Sequence, residues 1–196
     1  MKGNPDTLRK ILTHTYDLIA EEGIDRTALS ALAQRVGIAK PTLYYYFPTK
    51  DDLIAALFEE VRVIASYDSS FKRRPAPDEH FEAQLIRNGV QSLEALAQNP
   101  SFSRVLHEYF ALGLREGRYH DGLQQITLSY PQGFETLLSQ AVESGHLRAP
   151  RTSIPLTATL LALTFDGLSN QLILGLDVPF ADLWATQVHL LLGDPA

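Results

Sequence analysis

The chain has 196 residues, no cysteine, a formal net charge of −6, and 45% hydrophobic against 20% charged residues. That is the make-up of a globular protein long enough to bury its own core. It excludes disulfides, thiolate metal sites and thiol redox sensing. The first residues lack the apolar run of a signal peptide. The longest uncharged apolar stretch, Ser153 to Phe165, is broken by Asp166 and is too short to span a bilayer. A cytoplasmic protein with no membrane partner is expected.

The charge is unevenly spread. Residues 1–50 hold seven Lys/Arg and five Asp/Glu, giving +2, while the rest of the chain carries −8. A basic first quarter on an acidic body points to one end that meets a polyanion.

Nearly every segment reads as helix, and no run of alternating β-branched residues stands out. Asn4-Pro5 opens the first helix, Asn as N-cap and Pro at the first helical position. Leu8, Ile11, Leu12, Thr15 and Ile19 share one face. Gly23 is expected to close this helix as a left-handed cap. A second, short helix is predicted from Thr27, with Leu29, Leu32, Ala33 and Val36 on its inner face and Gly37 at its end. A third runs from near Lys40 and stops before Pro48. Three short helices with a Gly-centred turn between the last two form a helix-turn-helix pattern.

The Thr49–Asp52 spacing is a capping box that opens a fourth helix, with Leu53, Leu57, Val61 and Ile64 along one face. Lys72 to His80 reads as a loop. Helices follow at about 78–98, 101–116 and 120–145, and Pro131 is expected to kink or divide the last. Arg148 to Ser153 is a second loop. Two strongly apolar helices, about 154–176 and 179–193, complete the chain. The fold class is therefore all-α, about nine helices. An N-terminal helix-turn-helix domain (1–50) precedes a helical bundle domain (51–196).

The third helix, "KPTLYYY", raises the functional question. At 100° per residue Leu43 and Phe47 lie about 40° apart and face the core. Tyr45 and Pro41 point the opposite way, flanked by Tyr44 and Thr42, with Tyr46 on the border. Aromatic rings facing water need a reason. A DNA major groove supplies one, because it admits a helix and offers thymine methyls to apolar contact. Tyrosine and threonine hydroxyls and Lys50 can reach phosphate oxygens.

The stretch "TALSALAQRVGIAKPTLYYYFPTKDDLIAAL" (Thr27 to Leu57), preceded by "LIAEEG", closely resembles the DNA-binding segment of TetR-family repressors. The resemblance is strong over about residues 5–60. It returns more weakly in "LLSQAVESGHLRAP" and "LLALTFDGLSNQLILG". It implies that Lys40, Pro41, Thr42, Tyr44 and Tyr45 enter the groove or touch its phosphates, and that Ser30 can reach a base. It implies that Thr27, Tyr46 and Lys50 hold the DNA backbone. Two departures stand out. The N-cap of the third helix is Ala39, which has no side-chain acceptor. Ser30 and Ala31 are small and uncharged where the family often has Arg or Glu, so fewer base contacts are expected from the second helix.

In the C-terminal half, Leu160, Leu163, Gly167, Asn170, Gln171 and Leu174 recur at helical spacing. Trp184, Val188 and Leu191 do so on the last helix. A helix apolar nearly all round is either central or at an oligomer interface, and the resemblance implies a homodimer through these two helices. It also implies a small-molecule pocket in the middle of the chain. The candidates to line it are Asn88, Arg104, His107, Tyr109, Tyr130, Phe134, Phe165 and Asp166, for an unknown effector of neutral or cationic, partly aromatic or lipophilic character.

No catalytic residues, cofactor or metal are predicted. The chain has no HExxH, P-loop, GxSxG or CxxC pattern, and its six histidines form no i, i+4 pair. The expectation is a repressor released from a palindromic operator by a small molecule. The alternatives are a regulator controlled by a protein partner and, from a different class, a helical enzyme with an appended helix-turn-helix.

Overall fold

The computed structural model describes residues 4–71 and 80–193. The described residues form ten α-helices and no strand. Lys72 to Asp78 and Glu79, most of the expected loop, lie outside the described residues.

Helix α1 (Pro5–Glu22) starts as expected: the Asn4 side chain accepts the Asp6 N–H at 2.9 Å. Its end differs. Gly23 adopts φ 85° and ψ 163°, which is not the left-handed helical conformation but an extended region open almost only to glycine. Helix α2 (Leu29–Val36) begins two residues later than expected, behind an uncapped Ala28. Gly37, at φ 77° and ψ 32°, is a true left-handed cap. The Ile38 N–H reaches back to the Ala33 carbonyl at 3.0 Å, closing a Schellman turn. That turn releases the chain into α3 (Lys40–Tyr46), whose N-cap Ala39 makes no side-chain hydrogen bond.

The capping box at α4 (Lys50–Ile64) is reciprocal. Thr49 Oγ1 accepts the Asp52 N–H at 3.1 Å, and the Asp52 carboxylate accepts the Thr49 N–H at 3.2 Å. Leu53, Leu57 and Val61 are buried, but Ile64 is 54% exposed and does not continue their stripe.

A helix that was not anticipated follows, α5 (Tyr67–Phe71). Then come α6 (Phe81–Ala97), α7 (Pro100–Gly113), α8 (Gly117–Glu143), α9 (Ile154–Ile173) and α10 (Phe180–Leu192). Pro131 lies inside α8 without dividing it. Its missing N–H costs one ladder bond, which is offset by the burial of Tyr130 and Phe134 on either side of it.

The chain divides into two compact units: Met1–Ile64 with Ser101–Leu123, and Ala65–Pro100 with Gln124–Ala196. The boundary expected at residue 50 therefore falls inside the first unit. The reason is local packing: Leu53 and Ile54 of α4 are buried, and Tyr109 of α7 donates its hydroxyl to the Ile54 carbonyl at 2.8 Å. Phe58 of α4 lies against the same ring, with centroids 4.9 Å apart.

The second unit has an aromatic core. Tyr67 stacks on Phe71 at 5.2 Å, and Tyr130 stacks on Phe165 at 5.4 Å. Phe134 and Trp184 are fully buried beside them. The indole N–H of Trp184 donates to the Leu85 carbonyl at 3.2 Å, so its one polar atom is satisfied. Gly89 is required there, because a Cβ would run into the Trp184 ring.

Candidate nucleic-acid interface

Helix α3 is held from within by Leu43 and Phe47, 0% and 5% exposed. Burying these two fixes which residues face out. Lys40, Pro41 and Thr42 are exposed, as are Tyr44 at 47% and Tyr45 at 60%. The helical wheel anticipates this face. Tyr46, on the border, does something different: its phenol oxygen accepts the Asn4 N–H at 2.9 Å, tying α3 to the start of α1. Tyr45 packs edge-on against Tyr46 at 5.5 Å, which limits its rotamers without burying it.

Helix α2 presents Ser30 and Ala31 outward, with Gln34 one turn after Ser30 also exposed. Gln34 escaped the sequence reading, although its i, i+4 relation to Ser30 places it on the same face. Arg35 is committed elsewhere. Its guanidinium forks onto Glu21 at 2.6 and 2.7 Å, joining α2 to α1. Hydrogen bonding to Arg35 holds the Glu21 carboxyl below its usual range.

Two residues expected to hold the DNA backbone make bonds within the protein. Thr27 is only 1% exposed, and its hydroxyl donates to the Gly23 carbonyl at 2.9 Å. Its side chain stiffens the α1–α2 turn and has no surface to offer a phosphate. Lys50 is half-buried and its ammonium donates to the Asp25 carbonyl at 3.0 Å. An ammonium carries three donors, so this bond leaves capacity for a second partner.

The residues expected to line one pocket are divided between the two units. Asn88, Tyr130, Phe134, Phe165 and Asp166 belong to the second unit, whereas Arg104, His107 and Tyr109 belong to the first. Tyr109 is fully buried and its hydroxyl is spent on Ile54; burial pushes that phenol's pKa far up. Arg104 and His107 are exposed, and His107 Nδ1 lies 2.8 Å from the Ser103 carbonyl.

Within the second unit the chemistry is more suggestive. Asn88 is 6% exposed, and its side-chain oxygen finds no donor among the described residues. Asp166 is half-buried with no cation paired to it there, and loss of hydration raises its pKa. Tyr130 is pushed up to about 12, by burial first, against a lowering hydrogen bond from Ser70 and with a raising contribution from Asp166. Among the described residues no group of three or more His, Asp or Glu gathers as a metal would need.

The expected dimer residues also separate into two sets. Trp184, Val188 and Leu191 are buried in their own unit and are core, not surface. Leu160 is partly buried, whereas Leu163 at 63%, Gly167, Asn170, Gln171 and Leu174 at 76% are exposed along α9. On α10 the exposed apolar positions are Leu183 and Leu190. No described helix is long and apolar enough to cross a membrane.

These features define a helix-turn-helix protein with an appended helical bundle. Residues 11–57 match the family described as bacterial regulatory proteins, tetR family. Over this segment the chain is similar to the TetR family. It is 30% identical over 115 residues to the nucleoid occlusion factor SlmA of Haemophilus ducreyi, covering 55% of each. The chain thus spans about half the length of the first curated relatives it matches. A TetR transcription regulator of Haloarcula marismortui superposes with a TM-score of 0.75 at 19% identity, over 94% of this chain and 95% of that one. A transcriptional regulator of Saccharomonospora viridis in complex with choline gives 0.73 at 18%, over 96% and 99%. At these identities the structural likeness establishes the fold. Both structural neighbours are regulators by name.

Proposed function

We propose that this chain is a DNA-binding transcriptional regulator acting as a homodimer on a two-fold symmetric operator in the cytoplasm, and that it is a repressor released by a small molecule. The observation that carries this reading is the outward face of α3. Tyr44 and Tyr45 are exposed beside Lys40, Pro41 and Thr42, while Leu43 and Phe47 lock the helix from behind. Ser30 and Gln34 extend the face onto α2. The functional division assigns DNA binding to residues 1–50, with dimerisation and effector sensing in 51–196.

Dimerisation rests on the exposed stripe of α9 (Leu163, Gly167, Asn170, Gln171, Leu174), with the partly buried Leu160 beside it, and on Leu183 and Leu190 of α10. A two-fold protein matches a two-fold site. The effector we favour is a partly lipophilic amine or other organic cation held in the second unit. The support is Asp166 and the Asn88 oxygen, neither of which has a partner among the described residues, and the Tyr130–Phe165 ring pair. Aromatic faces with a carboxylate suit a cation, and one structural neighbour is described with choline bound. Release requires that the effector prefer the DNA-incompetent state; a tenfold preference shifts the balance by ~1.4 kcal/mol.

A second reading is control by a protein partner. It is favoured by the filling of the second unit's interior with the protein's own rings, Phe134 and Trp184 among them. One experiment separates the two. Duplexes are selected from a random pool by the protein, then challenged with a panel of amines and quaternary ammonium compounds. Release by a compound that also raises the melting temperature supports the first reading. Selection of a palindrome that no compound displaces supports the second.

A further inference from the structure

We propose that Glu108, on α7, is a positioning residue for DNA binding. Its carboxylate holds the α1–α2 turn in the place from which α2 and α3 are presented.

The turn creates the need. With Gly23 at φ 85° and ψ 163°, the chain leaves α1 abruptly. The Gly23 N–H still closes on the Ile19 carbonyl at 2.9 Å, but the next N–H, that of Ile24, is turned out of the helix ladder. A buried amide without a partner is costly, and Ile24 is 7% exposed. Glu108 Oε2 accepts this N–H at 2.9 Å across 84 residues of sequence. The carboxylate lies flat against Gly23: a Cβ there would sit 3.2 and 3.3 Å from its two oxygens.

A carboxylate at this place works against the helix dipole, whose negative end is the C-terminus of α1. Generic surface charge would not settle there. Among the described residues the bond from the Ile24 N–H compensates it. The other ties of the turn come from Thr27, whose hydroxyl meets the Gly23 carbonyl, and from Lys50, whose ammonium meets the Asp25 carbonyl. Of the three, only Glu108 comes from outside the first 64 residues. Its neighbour Tyr109 donates to the Ile54 carbonyl of α4. Consecutive residues of α7 therefore hold the turn and α4 at once, and a shift of α7 reaches both.

This role rests on the DNA-binding reading above. The test measures affinity of the wild type, Glu108→Ala and Glu108→Gln for the wild-type-selected duplex and for a random duplex. Amide exchange at Ile24 and the melting temperature are followed in parallel. Gln keeps an acceptor oxygen and removes the unfavourable charge, so it should bind within about threefold of wild type. Ala should lose about tenfold on the selected duplex, should lose much less on the random one, and should speed exchange at Ile24. Simple loss of folded protein would lower both affinities in the same ratio, so the ratio separates positioning from stability. If Ala frees the Ile24 amide yet keeps the wild-type ratio, or if Gln is as impaired as Ala, the role of Glu108 is wrong. If the wild type selects no duplex, the DNA-binding reading itself fails and takes this role with it.

Discussion

The phenol oxygen of Tyr46 accepts the backbone N–H of Asn4 at 2.9 Å. It joins the last turn of α3 to the cap of α1 across 42 residues. The bond gives three consecutive tyrosines distinct duties: Tyr46 fixes the helix, while Tyr44 and Tyr45 stay free to meet another surface.

Substitutions at Tyr45 and Tyr46 should therefore part company. Tyr45→Ala removes a ring that is 60% exposed, so stability should stay within about 0.5 kcal/mol. Its affinity for the selected duplex should fall by more than that for random DNA. Tyr46→Phe removes the exposed hydrogen bonding of its hydroxyl to the Asn4 backbone and should cost ~0.5–1 kcal/mol of stability. Melting curves and anisotropy titrations on the same samples distinguish the two. Equal losses on both duplexes for Tyr45→Ala would show that it reads no base.

Lys50 is expected to add a phosphate contact to its bond with the Asp25 carbonyl. Lys50→Ala should weaken binding to every sequence alike and reduce the salt slope by about one unit, as for a lost phosphate contact. It should also loosen the Asp25 carbonyl, detectable as a small drop in melting temperature. A salt slope identical to wild type would confine Lys50 to its intramolecular bond with Asp25.

What could be read from the sequence follows the range of the physics. The α3 face, the Thr49–Asp52 box and the Gly37 turn depend on neighbours within four or five residues, and helical spacing exposes them. Thr27, placed at the DNA backbone by the resemblance, has its hydroxyl captured by the carbonyl of Gly23, four residues back. Trp184, Val188 and Leu191 mislead for another reason. Periodicity marks an apolar face but does not say which of two apolar faces turns inward, and here Leu183 and Leu190 take the outer one. Glu108 and the Tyr46–Asn4 bond had no local signal at all, since their partners lie 84 and 42 residues away.

Asp166 should make stability fall with pH. Its folded pKa is raised above its ordinary value of 3.8 by burial. The unfolded chain therefore gives up the proton first, and the native state is penalised as pH rises from about that value through the folded pKa. The penalty is full above the folded pKa and absent well below 3.8. Asp166→Asn should accordingly raise the melting temperature at pH 7, and the gain should shrink as the pH is lowered toward 4. A cationic effector bound beside the carboxylate should cancel the difference in the wild type. No gain at pH 7 without effector would mean that Asp166 has a partner in solution.

Gly167 gives the test of assembly with opposite signs in its two parts. A Cβ added there meets nothing within 4 Å in its own chain. It lies mid-helix in α9, where glycine costs roughly 0.5–1 kcal/mol relative to a helix-forming residue. Gly167→Leu should therefore leave the isolated fold intact or slightly steadier. If α9 packs against its counterpart in a second copy, the same side chain overpacks the approach and should weaken the dimer by ~1–3 kcal/mol. Leu174→Asp, at a position 76% exposed, should weaken it by placing a charge in the same contact. Trp184→Ala should instead unfold the second unit, at ~3–5 kcal/mol, because that ring is core. Sedimentation across a concentration series reads the dimer, and circular dichroism at the lowest concentration reads the fold. A wild type that sediments as a monomer at micromolar concentration would refute the interface outright. A Gly167→Leu protein as dimeric as the wild type would move the contact off this part of α9.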